Sequence, residues 1–333
     1  MSTMITGGTG FLGSYLARHM IREKGESGII LYDMYPNLSR VEEIQDQVHV
    51  VQGDVLETHE LLATMKKYNV DKVVHLAYIM GGASRTSPVP DEKVLQYLRV
   101  QCMGAVNVFE TSRIHGVSRL VYASSVAIHG YRADPYDVEE IDEDVLPRPD
   151  NFYGACKLWY EHIAAVYQEQ HGLDTIGLRP TMTFGLGAGQ RGSYASRLMA
   201  IPENPSYVVM PELAALGEPI EMPPGDLVTD WMYAADAAEA WYLALTVQNP
   251  KHRVFNMRTE QVRLGDVTEC LRRVLPGAQI TVQEEPVSLF PLMNNDRLRD
   301  DLGFRPRYTL ESGIIDYVNR VRSQAGLPII EPS

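Results

Sequence analysis

Tyr153 and Lys157 stand four residues apart in the segment Tyr153-Gly154-Ala155-Cys156-Lys157. On a helix that spacing puts a phenol and an ammonium on one face, one turn apart. A free phenol, with a pKa of ~10, is a weak base at neutral pH. A cation ~4 Å away, at an effective dielectric of ~20, contributes up to ~4 kcal/mol, or about three pKa units. The expected result is a tyrosine brought near neutrality, able to take a hydroxyl proton and return it. Upstream, the hydroxyl of Ser125 can polarise the oxygen whose proton moves. Many solvated helices carry a Tyr and a Lys at this spacing, so the surrounding residues decide whether the pair is chemical.

A second group of residues is suited to holding a pyrophosphate. Thr6-Gly7-Gly8-Thr9-Gly10-Phe11-Leu12-Gly13 sets three glycines at G-x-x-G-x-x-G spacing. A side chain at Gly7 or Gly10 would block the tight turn or hold a diphosphate away. The N–H groups of the first helical turn, from Phe11 and Leu12, attract the anion together with the helix dipole, and Gly13 lets the helix lie close to the sheet. Asp33 follows 20 residues after Gly13. At a strand end there, a carboxylate binds adenosine ribose hydroxyls and repels a 2′-phosphate, which favours NAD over NADP. Arg40 is the nearby residue that would reverse the preference.

The pattern along the chain supplies the elements that must position these groups. Residues 4–6 read as the end of a buried strand, and apolar residues recur at helical spacing over 11–21. Further buried strands are expected at 28–32, 48–52, 72–77 and 119–123, with helices at 39–45, 58–68 and 92–115. Apolar strands alternating with helices indicate a parallel sheet covered on both faces, and right-handed crossovers make it doubly wound. Beyond Ser125, residues 134–149 read as an acidic loop, 152–170 as a strong helix, 174–178 as a strand and 185–192 as a glycine-rich turn. Six prolines in 201–225 suit a substrate-covering subdomain, and 228–247 reads as a strand and helix returning to the main sheet. The expected fold class is α/β: a Rossmann domain over 1–180 joined by 228–257. A smaller mixed α/β substrate-binding subdomain would span 181–227 and 258–322, with a tail over 323–333.

Composition narrows the partners. A formal charge of -13, from 43 acidic against 30 basic residues, repels nucleic acid and anionic lipid. No apolar run approaches the ~20 residues of a membrane span, and a glycine motif starting at Gly7 leaves no room for a signal peptide. Cys102, Cys156 and Cys270 are odd in number and widely spaced. That suits reduced thiols in a cytoplasmic protein and neither a metal site nor a disulfide framework.

These motifs resemble those of the extended short-chain dehydrogenase/reductases, the group that includes nucleotide-sugar epimerases and dehydratases. The resemblance runs from about Met4 to Tyr317. It implies that Asp54 and Val55, in Gly53-Asp54-Val55, lie at adenine, and that Leu76 and Ala77, after His75, line the diphosphate side. Within Ser124-Ser125-Val126-Ala127-Ile128-His129-Gly130, counting back five from Gly130 makes Ser125 the catalytic serine. Arg179-Pro180 matches a strand end whose backbone touches the nicotinamide, and Gln101 stands where the family usually has Asn. Lys157 would also hold the nicotinamide ribose. Dimers of the family pair through two long helices, here 92–115 and 152–170, so a homodimer is implied.

Departures from the family are informative. Nucleotide-sugar members usually carry an Asn at the place of Met182 and an Arg at the place of Thr229, both reaching the substrate diphosphate. Their loss forfeits charge-assisted hydrogen bonds worth ~1.5–3 kcal/mol each, unless Arg85, Arg191 or Arg197 substitutes. Tyr78, Ser84, Arg85, Ser125, Thr181 and Arg191 are the side chains expected to face substrate. Tyr78 replaces a small residue and would narrow the entrance. His75 is expected to be held by backbone groups, His129 to be structural, Trp231 and Trp241 to be core, and the scattered methionines 182, 199, 210 and 222 to be ordinary packing. The leading expectation is therefore an NAD-dependent oxidoreductase for a small polar secondary alcohol or ketone, sugar-like or a hydroxy acid. The alternative is a nucleotide-sugar epimerase or dehydratase with transient oxidation of the sugar. Val126 and Ala127 offer no acidic pair for the dehydratase branch. A non-catalytic dinucleotide sensor is a third reading, and retention of both Tyr153 and Lys157 speaks against it.

Overall fold

A computed structural model describes residues 2–79, 89–131, 139–188, 207–285 and 289–331. The chain opens with β1 (Ser2–Thr6), α1 (Phe11–Arg22), β2 (Ile29–Asp33), β3 (Val48–Gln52), α2 (Thr58–Lys67) and β4 (Val70–His75). A segmented helical stretch follows: α3 (Val94–Leu98), a π turn (Arg99–Gly104) and α4 (Ala105–His115), and then β5 (Arg119–Ala123). Next come β6 (Glu140–Ile141), α5 (Phe152–His171), β7 (Thr175–Pro180), β8 (Met182–Phe184), α6 (Met210–Ala215), β9 (Ile220–Met222) and β10 (Val228–Tyr233). The rest comprises α7 (Ala234–Thr246), β11 (Val254–Met257), β12 (Glu260–Arg263), α8 (Leu264–Val274), β13 (Ile280–Val282), β14 (Leu292–Met293), α9 (Asp296–Leu302) and α10 (Leu310–Gln324).

Seven strands form one parallel sheet in the order β11-β7-β5-β4-β1-β2-β3. Strand side chains alternate between two covered faces. Ile5, Leu31, Val74 and Val121 pack with Leu16 and Met20 of α1 and Ala240 and Trp241 of α7. Their neighbours Met4, Ile30, Val73 and Leu120 pack with Leu61 of α2, Phe109 of α4 and Tyr160 of α5. The strand order reverses between β1 and β4, which opens a crevice at the carboxyl ends of the strands. The doubly wound α/β fold expected from the alternating pattern is present.

Several local expectations need correction. β3 is not buried: it lies at the sheet edge with β2 alone beside it, and its five residues are half-buried or exposed. β10 does not return to the main sheet. It is the middle of a separate three-stranded sheet, parallel to β8 and antiparallel to β12, and β11 takes the main-sheet edge instead. The reason is that β10 is covered on both faces. Met232 enters the main core, whereas Trp231 and Tyr233 enter a second core with Phe184, Tyr207, Val267 and Tyr317. Inside the stretch expected to be loop, β6 pairs with β14 because Ile141 is fully buried against Val126 and Met293. The segment expected to be a tail is fastened by Asn319, which donates to the Ile330 carbonyl at 2.8 Å and accepts from its N–H at 2.7 Å. Among the described residues no helix is long and apolar enough to cross a membrane.

Candidate active site

The glycine turn closes on its own backbone. Gly7 adopts φ +68°, donates to the Tyr32 carbonyl at 2.8 Å, and leaves no space for a side chain, since a Cβ there would lie 2.9 Å from the Ala77 nitrogen. At Gly13 a Cβ would come 2.4 Å from the Gly7 carbonyl oxygen, so α1 packs directly on the turn. Gly10 caps α1 without a side-chain hydrogen bond, and the first turn, including Phe11 and Leu12, carries no acidic residue. Free N–H groups at an uncapped helix start make an anion site. Asp33 is aimed at the same turn: its carboxylate accepts from Thr9 N at 3.2 Å, Thr9 Oγ1 at 2.8 Å and Tyr35 N at 3.2 Å. Burial raises the Asp33 carboxyl, and these hydrogen bonds with the Arg40 charge offset only part of the rise. Arg40 itself donates to the Gly187 carbonyl at 3.4 Å.

Of the other residues expected at the cofactor, Leu76 and Ala77 are tied to the end of β1. Leu76 N donates to the Thr6 carbonyl and Ala77 N to the Thr6 hydroxyl. Asp54 accepts from the Leu56 N–H at 2.9 Å, and Val55 is buried beside Gly104. Gln101, fully buried on the π turn, donates to the Ile79 carbonyl at 3.2 Å. This cradle, an uncapped helix start with a carboxylate one strand away, fits a dinucleotide.

Ser125 and Tyr153 meet because two turns are pressed together. Ser125 follows β5 in extended conformation and caps a 3₁₀ turn over Val126–His129, its Oγ accepting from Ala127 N at 3.1 Å. Asn151 caps α5 by accepting from Gly154 N at 2.8 Å. A Cβ on Gly154 would lie 2.1 Å from the Ala127 carbonyl oxygen, so only glycine allows α5 this close to the serine turn. The Ser125 hydroxyl then lies close enough to the Tyr153 phenol to work toward lowering its pKa. Lys157 is 2% exposed. Its Nζ donates to the Ala123 carbonyl at 2.8 Å and lies 4.5, 5.2 and 5.5 Å from the ring centroids of Tyr160, Tyr78 and Tyr153.

The electrostatics run opposite to the simple pairwise expectation. Burial pushes the Tyr153 phenol up to about 12, and the Ser125 hydroxyl offsets only part of this. Burial also pulls Lys157 down to about 7. The ammonium is turned to a backbone carbonyl among aromatic rings, and desolvation of both groups outweighs their mutual attraction. Both are held toward their uncharged forms. His75 likewise stays neutral, pulled down to about 3 by burial and by the Lys157 charge. A side chain holds it, not backbone groups: Nδ1 lies 2.7 Å from the Thr6 hydroxyl. His129 is fully buried and also pulled down to about 3.

One supporting network was not foreseen. Arg179 is 3% exposed and grips Glu161 with two hydrogen bonds of 2.8 and 2.7 Å, while Ser124 donates to the same carboxylate. Arg179 also donates to the Glu143 carbonyl, and the Glu143 carboxylate accepts from Asn256 N at 2.8 Å. The available signal was register: Glu161 continues the i, i+4 series from Tyr153 and Lys157, a charge on the inward face of α5.

On the substrate side, the Tyr78 ring centroid lies 5.9 Å from that of Tyr153. Thr181 spends its hydroxyl on the Met257 carbonyl at 3.0 Å. A small recess is lined by Val126, Thr181, Met182, Thr229, Asp230 and Phe290. Thr229 is buried with its hydroxyl 2.9 Å from that of Tyr207. Burial raises Asp230 to about 6, against hydrogen bonds from Met293 N and Arg258. Pro180 sits at the end of β7 beside Met257. Trp231 and Trp241 are fully buried, and Met210 and Met222 are core. Ser84, Arg85, Arg191, Arg197 and Met199 lie outside the described residues.

A profile of the NAD dependent epimerase/dehydratase family matches residues 3–257. The chain belongs to this family of extended short-chain dehydrogenase/reductases, which are NAD-dependent enzymes. It is 27% identical over 324 residues to the UDP-glucose 4-epimerase of Azospirillum brasilense, spanning 94% of this chain and 89% of that protein. A UDP-glucose 4-epimerase of Corynebacterium glutamicum is 26% identical, over 93% and 92% of the two chains. Among solved structures, the UDP-glucose 4-epimerase of Thermotoga maritima superposes with a TM-score of 0.79 at 19% identity, covering 98% of this chain and 100% of its own. At that identity the likeness speaks for the fold alone.

Proposed function

We propose that the protein is a nucleotide-sugar epimerase, which oxidises a secondary alcohol of one substrate and re-reduces it without net consumption of cofactor. The observation that carries this reading is the grouping of buried Ser125 and Lys157 with half-buried Tyr153 past the carboxyl end of β5, in a fold whose first turn fits a dinucleotide. Similarity to UDP-glucose 4-epimerases over most of the chain supports the sugar reading over the small-alcohol dehydrogenase expected from Met182 and Thr229. NAD, when bound, supplies the acceptor and donor of the hydride. Gly7, Gly10, Phe11, Leu12 and Gly13 hold its diphosphate and Asp33 its adenosine ribose. Asp54 and Val55 take the adenine, Leu76 and Ala77 line the diphosphate, and Gln101, Tyr153, Lys157 and Pro180 face the nicotinamide half.

Ser125 orients the sugar hydroxyl, Tyr153 removes and returns its proton, and the Lys157 charge stabilises the phenolate while it exists. Burial keeps the phenol protonated in the ligand-free protein, so Tyr153 first gives that proton to solvent and then, as the phenolate, takes the hydroxyl proton of the sugar. Tyr78 and Thr181 line the substrate entrance, and the second core carries its wall. Val126 and Ala127 are apolar and buried and offer no acidic pair next to Ser125, which favours epimerisation over dehydration. The exposed apolar side chains Leu95, Met103 and Ile114 on the segmented helix and Phe152 and Val166 on α5 support a homodimer through these two helices. Light scattering during gel filtration reads the oligomer directly.

The deciding experiment follows the purified protein with UDP-glucose or UDP-galactose by proton NMR and by absorbance at the NADH band. Interconversion of the two sugars with no stoichiometric NADH is expected. Steady NADH formation from a free polyol or hydroxy acid, with no effect of UDP-sugars, would replace this reading with the dehydrogenase one. Met182 and Thr229, which carry no charge where a diphosphate would sit, are what favours that second reading.

A further inference from the structure

Cys102 and Cys156 are 54 residues apart in sequence, yet their Sγ atoms lie 3.7 Å apart where the π turn after α3 meets the first turns of α5. We infer that these two thiols form a reversible intramolecular disulfide that switches the active site off. A disulfide needs ~2.05 Å between the sulfurs, so oxidation must bring the two sulfurs closer by well over an ångström, and in the proposed switch α5 and the π turn shift with them. Cys156 lies between Tyr153 and Lys157 on α5, and Cys102 follows Gln101, which holds the Ile79 carbonyl beside the cofactor crevice. Displacement on that scale is enough to cost catalysis about 10²-fold.

The two thiols differ in a way that orders the chemistry. Cys102 is half-buried, and the hydrogen bond from Cys156 holds its thiol below the usual range. Cys156 is 4% exposed and pushed up by that same bond and, less, by burial. The oxidant is a hydroperoxide. The Cys102 thiolate attacks one peroxide oxygen; the O–O bond breaks, hydroxide leaves and is protonated, and a sulfenic acid remains. The Cys156 sulfur then attacks the Cys102 sulfur, the S–O bond breaks, and a second water leaves. Two thiols lose two electrons and hydrogen peroxide becomes two waters.

The test treats the native, full-length protein with hydrogen peroxide, blocks free thiols under denaturing conditions and maps peptides by mass spectrometry. A single Cys102–Cys156 linkage, lighter by two hydrogens, is expected, and dithiothreitol reverses it. Turnover, which rests on the proposed epimerase reading, should fall about 10²-fold and return with dithiothreitol. The Cys102→Ala protein should form no linkage and keep its turnover through peroxide, while Cys270→Ala should behave as the parent. Peptide mapping does not need a substrate, so a wrong substrate and a wrong disulfide give different outcomes. Unmodified Cys102 and Cys156 after treatment, a linkage between two chains, or Cys102 carried on to sulfinic acid without a bond would each overturn the inference.

Discussion

Two buried polar clusters lie within a few residues of each other, and they balance charge in different ways. Around Arg179, a guanidinium and the Glu161 carboxylate meet in a two-bonded pair, with Ser124, the Glu143 carbonyl and Asn256 filling the remaining positions. Around Lys157, an ammonium faces a carbonyl and three tyrosine rings, and among the described residues it forms no ion pair. The first cluster is satisfied and rigid. The second is under-compensated, so its groups drift toward uncharged forms: Lys157 down to about 7 and Tyr153 up to about 12. A satisfied network positions; an unsatisfied one is ready to accept charge when a substrate supplies it.

The sharpest way to break this contrast is Tyr153→Phe. Turnover should fall by about 10²–10⁴, while the melting temperature and the shift produced by NAD stay close to the parent. A variant that keeps most of its turnover would remove the phenol from the chemistry. Arg179→Met should instead cost stability, about 3–5 kcal/mol by urea unfolding, because Glu161 is left without its counter-charge. Replacing Glu161 by Leu in the same chain should recover most of that loss, and failure to recover would mean the pair is not the unit.

Lys157→Met should abolish turnover yet raise the melting temperature of the ligand-free fold at pH 6, where the buried ammonium costs most. The sign follows from linkage. The native Lys157 value of about 7 lies below the unfolded value, ~10.4, so the unfolded parent binds more protons between them. Parent stability therefore rises with pH across that window, and the advantage of Lys157→Met shrinks from pH 7 upward. Melting curves at pH 6 and pH 9 read this, and an advantage that grows with pH would refute the assignment.

Features carried by short spacings were readable from the chain. The glycine turn, Asp33 at the end of β2 and the Tyr153–Lys157 register need only a strand, a turn and a helix in succession. The main-sheet strands were readable because their apolar runs are bounded by helical periods. What could not be read depends on segments distant in sequence. Tyr78 and Tyr160 converge on Lys157 and Tyr153 from separate elements, and the burial of Tyr153 itself reverses the expected direction of its shift. The partner of Arg179 comes from α5, and the Cys102–Cys156 approach joins two helices. β10 was assigned to the wrong sheet because a strand buried on both faces has the same apolar run in either. The diphosphate anchors were judged from two positions, whereas similarity over the whole chain weighed the other way.

The alternation along β10 has one more consequence. Met232 belongs to the core of the main sheet and its neighbours Trp231 and Tyr233 to the aromatic core beside it, so a single strand is stitched into both. Neither half can loosen without dragging a large side chain out of the other. Heat or denaturant therefore has to dissolve the two as one cooperative body, and a single sharp melting event is the signature of that stitch.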